Sequence, residues 1–399
     1  MIGEDSLDRF GYSVSTIGDI NKDGYDDVLV GAYGDDDGGA TAGCAYIFYG
    51  YSSYYNDIDA SNANVKFVGE DAGNFFGASV SSAGDFNHDG YPDVIVGAFQ
   101  DADGGARSGC AFIFFGSNNL SSTIDASNAN VKMIGEGADD NFGKSVSSAG
   151  DFNDDGYDDV IVGAFGNSNN GSMSGRAYIF LGSQNPGTTL QASTADSIFE
   201  GLNSLDCFGT SVSNAGDFNN DGIDDVIIGA LNQCNEDAYI FFGKRTPNPL
   251  VPSSNAEVKI TDGYFGFDVA SVYDFNKDGI DDVIVGDSHD NSGNVYIFYG
   301  SSSPSANISV NNASVFIQSG TKISFGYSVS TAGDFNDDGF YDLIVGATHA
   351  DDGGTNAGCA YIYNGNNSPS SNMSLSDADV KLVGENGYDY LGESVSGGN

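Results

Sequence analysis

A nine-residue pattern of oxygen-bearing side chains occurs six times along this chain of 399 residues. The first copy runs from Asp19 to Asp27 and has Asp, Asn, Asp and Asp at positions one, three, five and nine, with Gly at position six. The other copies begin at Asp85, Asp151, Asp217, Asp274 and Asp334. Such a donor set suits a hard cation with about six to eight oxygen ligands, and glycine permits the sharp turn. The pattern therefore predicts loops that wrap around calcium ions.

The predicted ligands are the side chains at positions one, three, five and nine, together with the backbone carbonyl of position seven. They are Asp19, Asn21, Asp23, Tyr25, Asp27, Asp85, Asn87, Asp89, Tyr91, Asp93, Asp151, Asn153, Asp155, Tyr157, Asp159, Asp217, Asn219, Asp221, Ile223, Asp225, Asp274, Asn276, Asp278, Ile280, Asp282, Asp334, Asn336, Asp338, Phe340 and Asp342. We expect about six structural Ca²⁺ sites, one in each copy of the pattern. The alternative is that these segments are solvated Asp/Asn turns without metal.

Position twelve of the pattern distinguishes these loops from helix-loop-helix calcium sites. An EF-hand has a bidentate Glu there, followed by a helix. This chain has Val or Ile inside short, β-branched runs such as DVLVGAY and DVIVGAF. Such runs are typical of buried strands. Each loop is therefore predicted to join one strand to the next.

The repeat unit predicts the fold class. Phe-Gly pairs begin at Phe10, Phe76, Phe142, Phe208, Phe265 and Phe325, with Leu391-Gly392 as a seventh, and their spacings are 66, 66, 66, 57, 60 and 66 residues. A period this long with only strand signals favours a propeller or a stacked β array. Each unit has four strand phrases, the number in one propeller blade. We predict an all-β propeller of four-stranded antiparallel blades, with the calcium loops on one face and the second-to-third loops on the other.

The chain is predicted to be a single propeller domain, 1–399. The expected repeats are about 5–70, 71–136, 137–201, 202–261, 262–319 and 320–385, with a partial repeat at 386–399. The first phrase is a fourth strand and the last is a first strand, so a seventh unit is split between the two ends. We favour seven blades, and six blades with surplus terminal strands remain the alternative.

Charge and composition exclude several functions. The formal net charge of −44 would repel nucleic acid and anionic membrane surfaces. No apolar run approaches the ~20 residues of a membrane span, so direct membrane insertion is not expected. The three histidines and the sequence around them show no catalytic motif, and His88 is expected to face solvent at position four of its loop. We therefore predict a protein that is not an enzyme.

Cysteines and lysines recur at fixed repeat positions. Cys44, Cys110 and Cys359 share one position and are predicted to be small buried hydrophobes. Cys207 and Cys234 fall in two loops of one face, so a disulfide between them is a hypothesis. The fourth strands carry a recurring lysine, which we interpret as protection of an exposed sheet edge; a merely solvated position is the alternative. These lysines are Lys66, Lys132, Lys259 and Lys381.

The Phe-Gly pairs, the Asp-rich loops and the Gly-Ala pairs that follow them resemble the FG-GAP repeats of the integrin alpha-chain β-propeller. The Gly-Ala pairs begin at Gly31, Gly97, Gly163, Gly229 and Gly346. Two departures are clear: the proline of Gly-Ala-Pro is absent, and the fifth unit has Gly286-Asp287. All six loops have every donor position, whereas integrin alpha chains carry such loops in only some blades. The resemblance implies a divergent, microbial or otherwise distant, FG-GAP protein.

The resemblance and the predicted loops together lead to an expected function. We expect an extracellular or cell-surface, calcium-stabilised binding or adhesion module that presents the loops opposite the calcium face to a protein or glycan ligand. The alternatives are a structural spacer or assembly domain that contacts neighbouring domains, or the non-catalytic appendage of a secreted enzyme. Asn-x-Ser sequons at Asn119, Asn170, Asn307, Asn312, Asn366 and Asn372 are compatible with a glycoprotein.

Seven aspartates in the second-to-third loops are the candidate ligand or cation contacts on that face, and solvated, solubilising loops are the alternative. They are Asp35, Asp36, Asp37, Asp101, Asp103, Asp351 and Asp352. Under either interpretation, replacing all seven is expected to leave the fold intact.

Overall fold

The computed structural model describes residues 3–5, 7–52, 58–231, 236–263, 268–288 and 293–398. These residues form β-strands and short 3₁₀ turns, with no α-helix among them. No helix in this part of the chain is long and apolar enough to cross a membrane. Cys234, the Phe265-Gly266 pair and His289 lie outside the described residues.

Six sheets, each with four antiparallel strands, form the blades of an all-β propeller. Blade 1 contains β1 (Ser13–Thr16), β2 (Val28–Ala32), β3 (Cys44–Phe48) and β4 (Val65–Val68). Blade 2 contains β5 (Phe76–Gly84), β6 (Asp93–Ala98), β7 (Cys110–Phe114) and β9 (Val131–Ile134), and the short β8 (Thr123–Asp125) precedes β9 in sequence. Blade 3 contains β10 (Ser145–Gly150), β11 (Asp159–Ala164), β12 (Arg176–Phe180) and β14 (Ser197–Glu200), with the short β13 (Thr189–Gln191) before β14.

The last three blades repeat this order. Blade 4 contains β15 (Phe208–Gly216), β16 (Asp225–Ala230), β17 (Glu236–Phe241) and β19 (Val258–Gly263), with β18 (Leu250–Pro252) before β19. Blade 5 contains β20 (Asp268–Tyr273), β21 (Asp282–Asp287), β22 (Asn294–Phe298) and β24 (Val315–Gln318), with β23 (Asn307–Ser309) before β24. Blade 6 contains β25 (Phe325–Gly333), β26 (Asp342–Ala347), β27 (Cys359–Tyr363) and β29 (Val380–Val383), with β28 (Asn372–Ser374) before β29.

A fifth, parallel strand covers the outer strand of the first five blades. The short strands β8, β13, β18, β23 and β28 pair with the fourth strand of the preceding blade, as where Lys66, Phe67 and Val68 pair with Thr123, Ile124 and Asp125. A 3₁₀ turn follows each of them, in blade 2 at Ala126–Asn128 with Asp125 as its N-cap. This short strand is additional to the four strands predicted for each unit. In blades 1, 2 and 4 the lysine-bearing strand is therefore not an edge, and the interpretation as edge protection is wrong for Lys66, Lys132 and Lys259; Lys381 lies on β29, which has no such fifth strand in the described residues.

The 3₁₀ turns have the same position in all six blades. They are Ala60–Asn62, Ala126–Asn128, Ala192–Thr194, Ser253–Asn255, Val310–Asn312 and Leu375–Asp377.

The chain divides into two compact units. The first holds Met1–Asp151, Asp155–Glu200 and Pro247–Val251, and the second holds Phe152–Asp154, Gly201–Thr246 and Pro252–Asn399. Within each unit the apolar core lies between neighbouring blades, because the middle strands are buried on both faces. Strand β6, for example, is buried at all six positions. This placement explains the continuous apolar runs, since a strand covered on both sides has no polar face.

The Phe-Gly and Gly-Ala pairs meet across neighbouring blades. The phenylalanine is buried against aromatic rings of its own third strand, as Phe142 is against Tyr178 with ring centroids 5.4 Å apart. The glycine that follows it has a positive φ, +82° at Gly143. Its carbonyl oxygen lies against Gly97 of the preceding Gly-Ala pair, where an added Cβ would be only 2.0 Å from that oxygen. Glycine is required at both positions because two backbones touch there.

Residues 391–397 pack against blade 6 in the same way. The Cβ position of Gly346 lies 2.0 Å from the oxygen of Gly392, and the Val395 N–H donates to the hydroxyl of Ser328 over 3.0 Å. The equivalent bond between blades 1 and 2 joins Val80 to Ser13. The described residues thus form six blades, the smaller of the two numbers considered from the sequence, and the last phrase docks as a first strand would.

Candidate metal loops and the opposite acidic loops

The backbone of each predicted calcium loop is organised by its own aspartates. In the second loop, Asp85 accepts the N–H groups of Asp89 and Gly90 over 2.9 and 2.8 Å, one on each carboxylate oxygen. Asn87 also accepts from Asp89, over 2.8 Å, and Asp89 accepts from Tyr91 over 3.0 Å. The bonds to position one recur in all six loops. Each carboxylate oxygen has two lone pairs, so one remains for a cation.

The aspartate at position nine is completely buried and ties the loop to the rest of its blade. Asp93 accepts the N–H of Gly116, which begins the connection from the third to the fourth strand, over 2.9 Å. The same bond forms at Asp27, Asp159, Asp225, Asp282 and Asp342. The loop and the third-to-fourth connection therefore lie at one end of each blade, and the second-to-third loop lies at the other.

Two of these buried carboxylates keep an oxygen that no protein group satisfies. The Oδ2 atoms of Asp93 and Asp282 have no hydrogen-bond partner, and neither does the Oδ1 of Asn276, the position-three residue beside Asp282. Burial, together with the nearby Asp89 and Asp85, raises the pKa of Asp93 to about 8. A buried polar oxygen without a partner costs free energy, and a bound cation would remove that cost. The donor set therefore fits a hard divalent cation.

No group of three His, Cys, Asp or Glu side chains in the described residues is arranged to hold a metal ion. The carboxylates at positions one and five are turned towards the backbone N–H groups of their own loop. Calcium ligation by the predicted residues therefore remains a prediction.

Position four of the first, second and fifth loops reaches the loop of the next blade. It has a left-handed backbone, with φ of 59° at Lys22 and 54° at His88. The Lys22 ammonium lies 4.1 Å from the centroid of the Tyr91 ring, and the His88 ring lies 5.2 Å from that of Tyr157. His88 is exposed, as expected, but it also contacts its neighbour. The loops of adjacent blades therefore contact one another within each unit.

At the opposite end of the blades lie the second-to-third loops with their aspartates, here called the acidic loops. Many of these aspartates form ion pairs with lysine side chains of the protein itself. Lys66 is only 14% exposed and forms ion pairs with Glu4 at 2.9 Å, Asp35 at 3.4 Å and Asp37 at 2.6 Å. Burial disfavours its charged form, but hydrogen bonds to Asp37, Tyr46 and Glu4 outweigh this and raise the pKa of Lys66. Both sequence-based interpretations of this lysine, edge protection and simple solvation, are therefore wrong.

The other blades repeat this arrangement with variations. Lys132 pairs with Glu70 and with Asp103, and Lys381 pairs with Asp352 at 2.7 Å. In blade 5 the equivalent fourth-strand position is Phe316, whose ring stacks on that of Tyr296, with centroids 5.2 Å apart.

In blade 3 two repeat positions carry different residues, yet a cation still lies beside the acidic loop. Ile198 replaces the fourth-strand lysine, and Arg176 replaces the cysteine at the start of the third strand. The Arg176 guanidinium pairs with Glu136 at 3.0 Å and with Glu200 at 2.8 Å. The chain thus places a largely buried positive charge at this end of the blade either from the fourth strand, as lysine, or from the start of the third strand, as arginine.

Most of the seven aspartates proposed as ligand contacts therefore have structural roles. Asp35 and Asp101 are buried, at 2% and 1% exposed. Asp35 accepts from the Tyr46 hydroxyl, and Asp101 accepts from the Asn74 amide over 2.6 Å. Burial raises the pKa of Asp35, but the bonds from Tyr46 and from the Asp37 N–H outweigh it, so the pKa is lowered. We now expect replacement of all seven to destabilise the fold, contrary to the expectation from the sequence, because buried partners such as Tyr46 and Asn74 would be left unsatisfied.

The three repeat-position cysteines are buried free thiols, as predicted. Cys207 is half-buried and forms no disulfide with another described residue. Its proposed disulfide partner, Cys234, lies outside the described residues, so that hypothesis is unresolved.

Blade 4 carries a polar cleft of about 280 Å³ at the acidic-loop end. Lys259 in its wall is 36% exposed and pairs with Asp237 at 2.9 Å, so this lysine is more open than Lys66. Asn203, Asp206 and Tyr239 also line the cleft. Sequence reasoning did not find it, because the lining residues come from separate loops.

Comparison with known families agrees with this architecture. An FG-GAP repeat model matches residues 10–48, 76–108, 142–180 and 325–363, and an FG-GAP-like repeat model matches residues 217–285. The chain therefore belongs to the FG-GAP repeat β-propellers.

Among proteins of this class, the chain is similar to integrin alpha chains. It is 33% identical to human integrin alpha-6 over 168 residues, which is 42% of this chain and 13% of the relative. Integrin alpha-5 of Xenopus laevis is 31% identical over 233 residues, 56% of this chain and 20% of the relative. Integrin alpha-PS3 of Drosophila melanogaster is 33% identical over 181 residues, 44% and 15% respectively. The chain spans about a fifth or less of the length of these relatives.

Proposed function

We propose that this chain is a calcium-stabilised, non-catalytic binding module of an extracellular or cell-surface protein. The observation that carries the proposal is the buried position-nine aspartate, which recurs in six loops and keeps an unsatisfied oxygen at Asp93 and Asp282. The similarity to integrin alpha chains supports a binding role and a location outside the cell. Extracellular calcium modules bind at roughly 10⁻⁴ to 10⁻³ M, so such sites would be filled there.

The calcium ions would have a structural role in this proposal. Positions one, three, five and nine supply their oxygens, and the carbonyl of position seven adds one. A bound ion supplies positive charge beside three carboxylates, whose mutual repulsion is strongest where water is excluded. At 10 mM calcium each site would contribute about 1.4 to 2.7 kcal/mol to the free energy of unfolding.

The ligand surface is assigned to the end of the blades opposite the calcium loops. A recessed feature of this end in the second unit is the blade 4 cleft, where Lys259 and Asp206 place both signs of charge beside Tyr239. Such a mixture suits a polar partner, either a protein segment or a glycan.

A structural spacer or assembly domain is the second candidate. Asp35, Asp37, Asp103 and Asp352 are occupied by internal lysines, which reduces the number of carboxylates available to a ligand. A spacer needs a stable surface rather than a dedicated site, and these networks supply stability.

The test measures thermal unfolding during calcium titration and counts bound ions by native mass spectrometry. We expect about six ions and a rise of more than about 10 °C in the melting temperature between EGTA and 10 mM calcium, because several sites act in each unit. The variant Asp89→Asn keeps the acceptor for Tyr91 but removes a ligand charge, so it should lose one ion. Asp139→Asn, a change at an exposed aspartate outside the loops, is the matched control. Wild-type protein that binds no ions and shows no shift would refute the calcium role.

Ligand binding is then tested on the calcium-loaded protein with glycan arrays and a panel of extracellular matrix proteins. Lys259→Ala should weaken a ligand of the cleft, and Lys381→Ala, the equivalent change in blade 6, is the control. If nothing binds under any calcium condition, the spacer function is favoured.

A further inference from the structure

Position eight of the Asp-rich loops is not part of the donor pattern, yet it is acidic in most copies. The residues there are Asp26, Pro92, Asp158, Asp224, Asp281 and Tyr341. In an isolated loop this side chain would have no evident role beside the buried aspartate that follows it.

Two of these aspartates reach into the loop of the preceding blade. The Oδ2 atom of Asp158, in blade 3, accepts the N–H of Asp85, the first residue of the blade 2 loop, over 2.6 Å. Asp281, in blade 5, accepts the N–H of Asp217 in the blade 4 loop over 2.9 Å. Both approaches depend on glycine: a Cβ on Gly84 would lie 2.4 Å from Asp158, and one on Gly216 would lie 2.2 Å from Asp281.

The same contact is made by other residue types elsewhere. Pro92, in blade 2, lies against Gly18 of the blade 1 loop, with its Cγ 3.4 Å from the Cβ position of that glycine. In the fifth blade Tyr273 replaces the glycine, and its ring lies 4.9 Å from the ring of Tyr341 in blade 6. In these four contacts position eight meets the start of the preceding loop, and the residue type differs between them.

An aspartate at this point adds a fourth carboxylate to a loop that already has three. Asp85, Asp89 and Asp93 belong to the blade 2 loop, and the unsatisfied Oδ2 of Asp93 is fully buried among them. Besides Asp85, the charged or titratable groups around Asp158 are Asp151 and His88. One backbone hydrogen bond does not compensate for the repulsion of grouped carboxylates, whereas a bound cation does.

We infer that Asp158 and Asp281 are additional carboxylates of the calcium sites in the preceding blades, blades 2 and 4. This inference rests on the proposed calcium binding. Calcium affinity rises with the number of ligand charges and with the rigidity of the site. The sites of blades 2 and 4 therefore bind calcium more tightly than those of blades 1 and 5, whose neighbours contribute Pro92 and Tyr341. A calcium ion in blade 2 also fastens blade 3 to it.

The experiment compares wild-type protein with Asp158→Asn and Asp281→Asn. Asparagine keeps an acceptor for the N–H of Asp85 or Asp217 but removes the charge. Calcium binding is measured by isothermal titration and by ion counting in native mass spectra at buffered calcium concentrations. Each variant should weaken the binding of one ion by about tenfold or more, while the ion count at saturation stays that of the wild type. The converse variant, Pro92→Asp, should tighten one weak site.

Melting temperatures separate this role from a purely structural one. Without calcium, Asp158→Asn should raise the melting temperature because it removes like-charge repulsion. With saturating calcium it should lower the melting temperature, because a cation ligand is lost. A change of the same sign in both conditions, or unchanged calcium affinity, would overturn the inference while leaving calcium binding intact. Failure of the proposed function looks different, since the wild-type protein itself would then bind no calcium.

Discussion

The contact between Gly97 and Gly143 gives a sharp test of the propeller packing. In Gly97→Ala, the new Cβ would lie 2.0 Å from the carbonyl oxygen of Gly143 and 3.0 Å from its carbonyl carbon. Both atoms belong to backbone of the next blade, so no side-chain rotation relieves the overlap. The two blades must separate by more than about 1 Å, and because both overlapping atoms are backbone we expect a cost at the upper end of the usual range for overpacking, about 3 kcal/mol.

That free energy converts to a measurable shift in melting temperature. A cooperative unit of roughly 150 to 250 residues loses about 2 to 4 °C per kcal/mol, so Gly97→Ala should melt about 6 to 12 °C lower. Gly137→Ala is the matched control, because its nearest neighbour would be 3.7 Å from the added Cβ. The assay is thermal unfolding by circular dichroism at saturating calcium. If the two variants melt within about 2 °C of each other, the explanation of the Phe-Gly and Gly-Ala pairs is incorrect.

Two further predictions concern charges. Lys132→Ile should lower the free energy of unfolding by about 1 to 3 kcal/mol in chemical denaturation, because it leaves Glu70 and Asp103 without their cation. Adding Cys110→Arg, which copies the arginine of blade 3, should recover part of that loss. No recovery would contradict the equivalence of the fourth-strand lysine and the third-strand arginine. Burial raises the pKa of Asp268 to about 6, so the folded state holds this proton more tightly than the unfolded state, and stability should fall as pH rises from about 4 to about 6. The buried aspartates at position nine, such as Asp93, also have raised pKa values and add to this fall. Asp268→Ser, which matches Ser211 and Ser328 in neighbouring blades, should therefore reduce the fall by about 3 kcal/mol rather than remove it, since one pKa unit corresponds to about 1.4 kcal/mol. A pH profile of unfolding identical to that of the wild type would exclude Asp268 as a contributor.

The fold was accessible from the sequence because its signals are local and repeated. The DVIVGA run predicted a strand buried on both faces, and β6 and β11 have that property. The short strand at Thr123–Asp125 was missed because three residues carry no periodicity, although the recurring Ile-Asp-Ala-Ser-Asn at residues 58–62 and 124–128 is a usable signal.

The chemistry of the opposite loops was less accessible for a physical reason. Lys66 and Glu4 are 62 residues apart, and no local pattern shows that they meet. The exchange in blade 3 illustrates the difficulty, since Arg176 and Ile198 look like unrelated departures until the sheet places them on adjacent strands, two register positions apart. A charged loop residue therefore looks solvent-exposed in the sequence, because a distant ion-pair partner cannot be recognised there.

The carboxylates at the two ends of the blades differ in what neutralises them, and this difference supports the binding of external cations at the metal-loop end. At the acidic-loop end, Asp35, Asp103 and Asp352 have lysines of their own blade. At the metal-loop end, the cations of position four lie over aromatic rings instead: Lys22 over Tyr91 and Lys277 over Phe340. In the second loop, no ion pair among the described residues joins a lysine or arginine to Asp85, Asp89 or Asp93. A chain of net charge −44 that neutralises one end itself and groups carboxylates at the other depends on the medium for the remaining positive charge. Calcium in the loops would supply it where the unsatisfied oxygens lie.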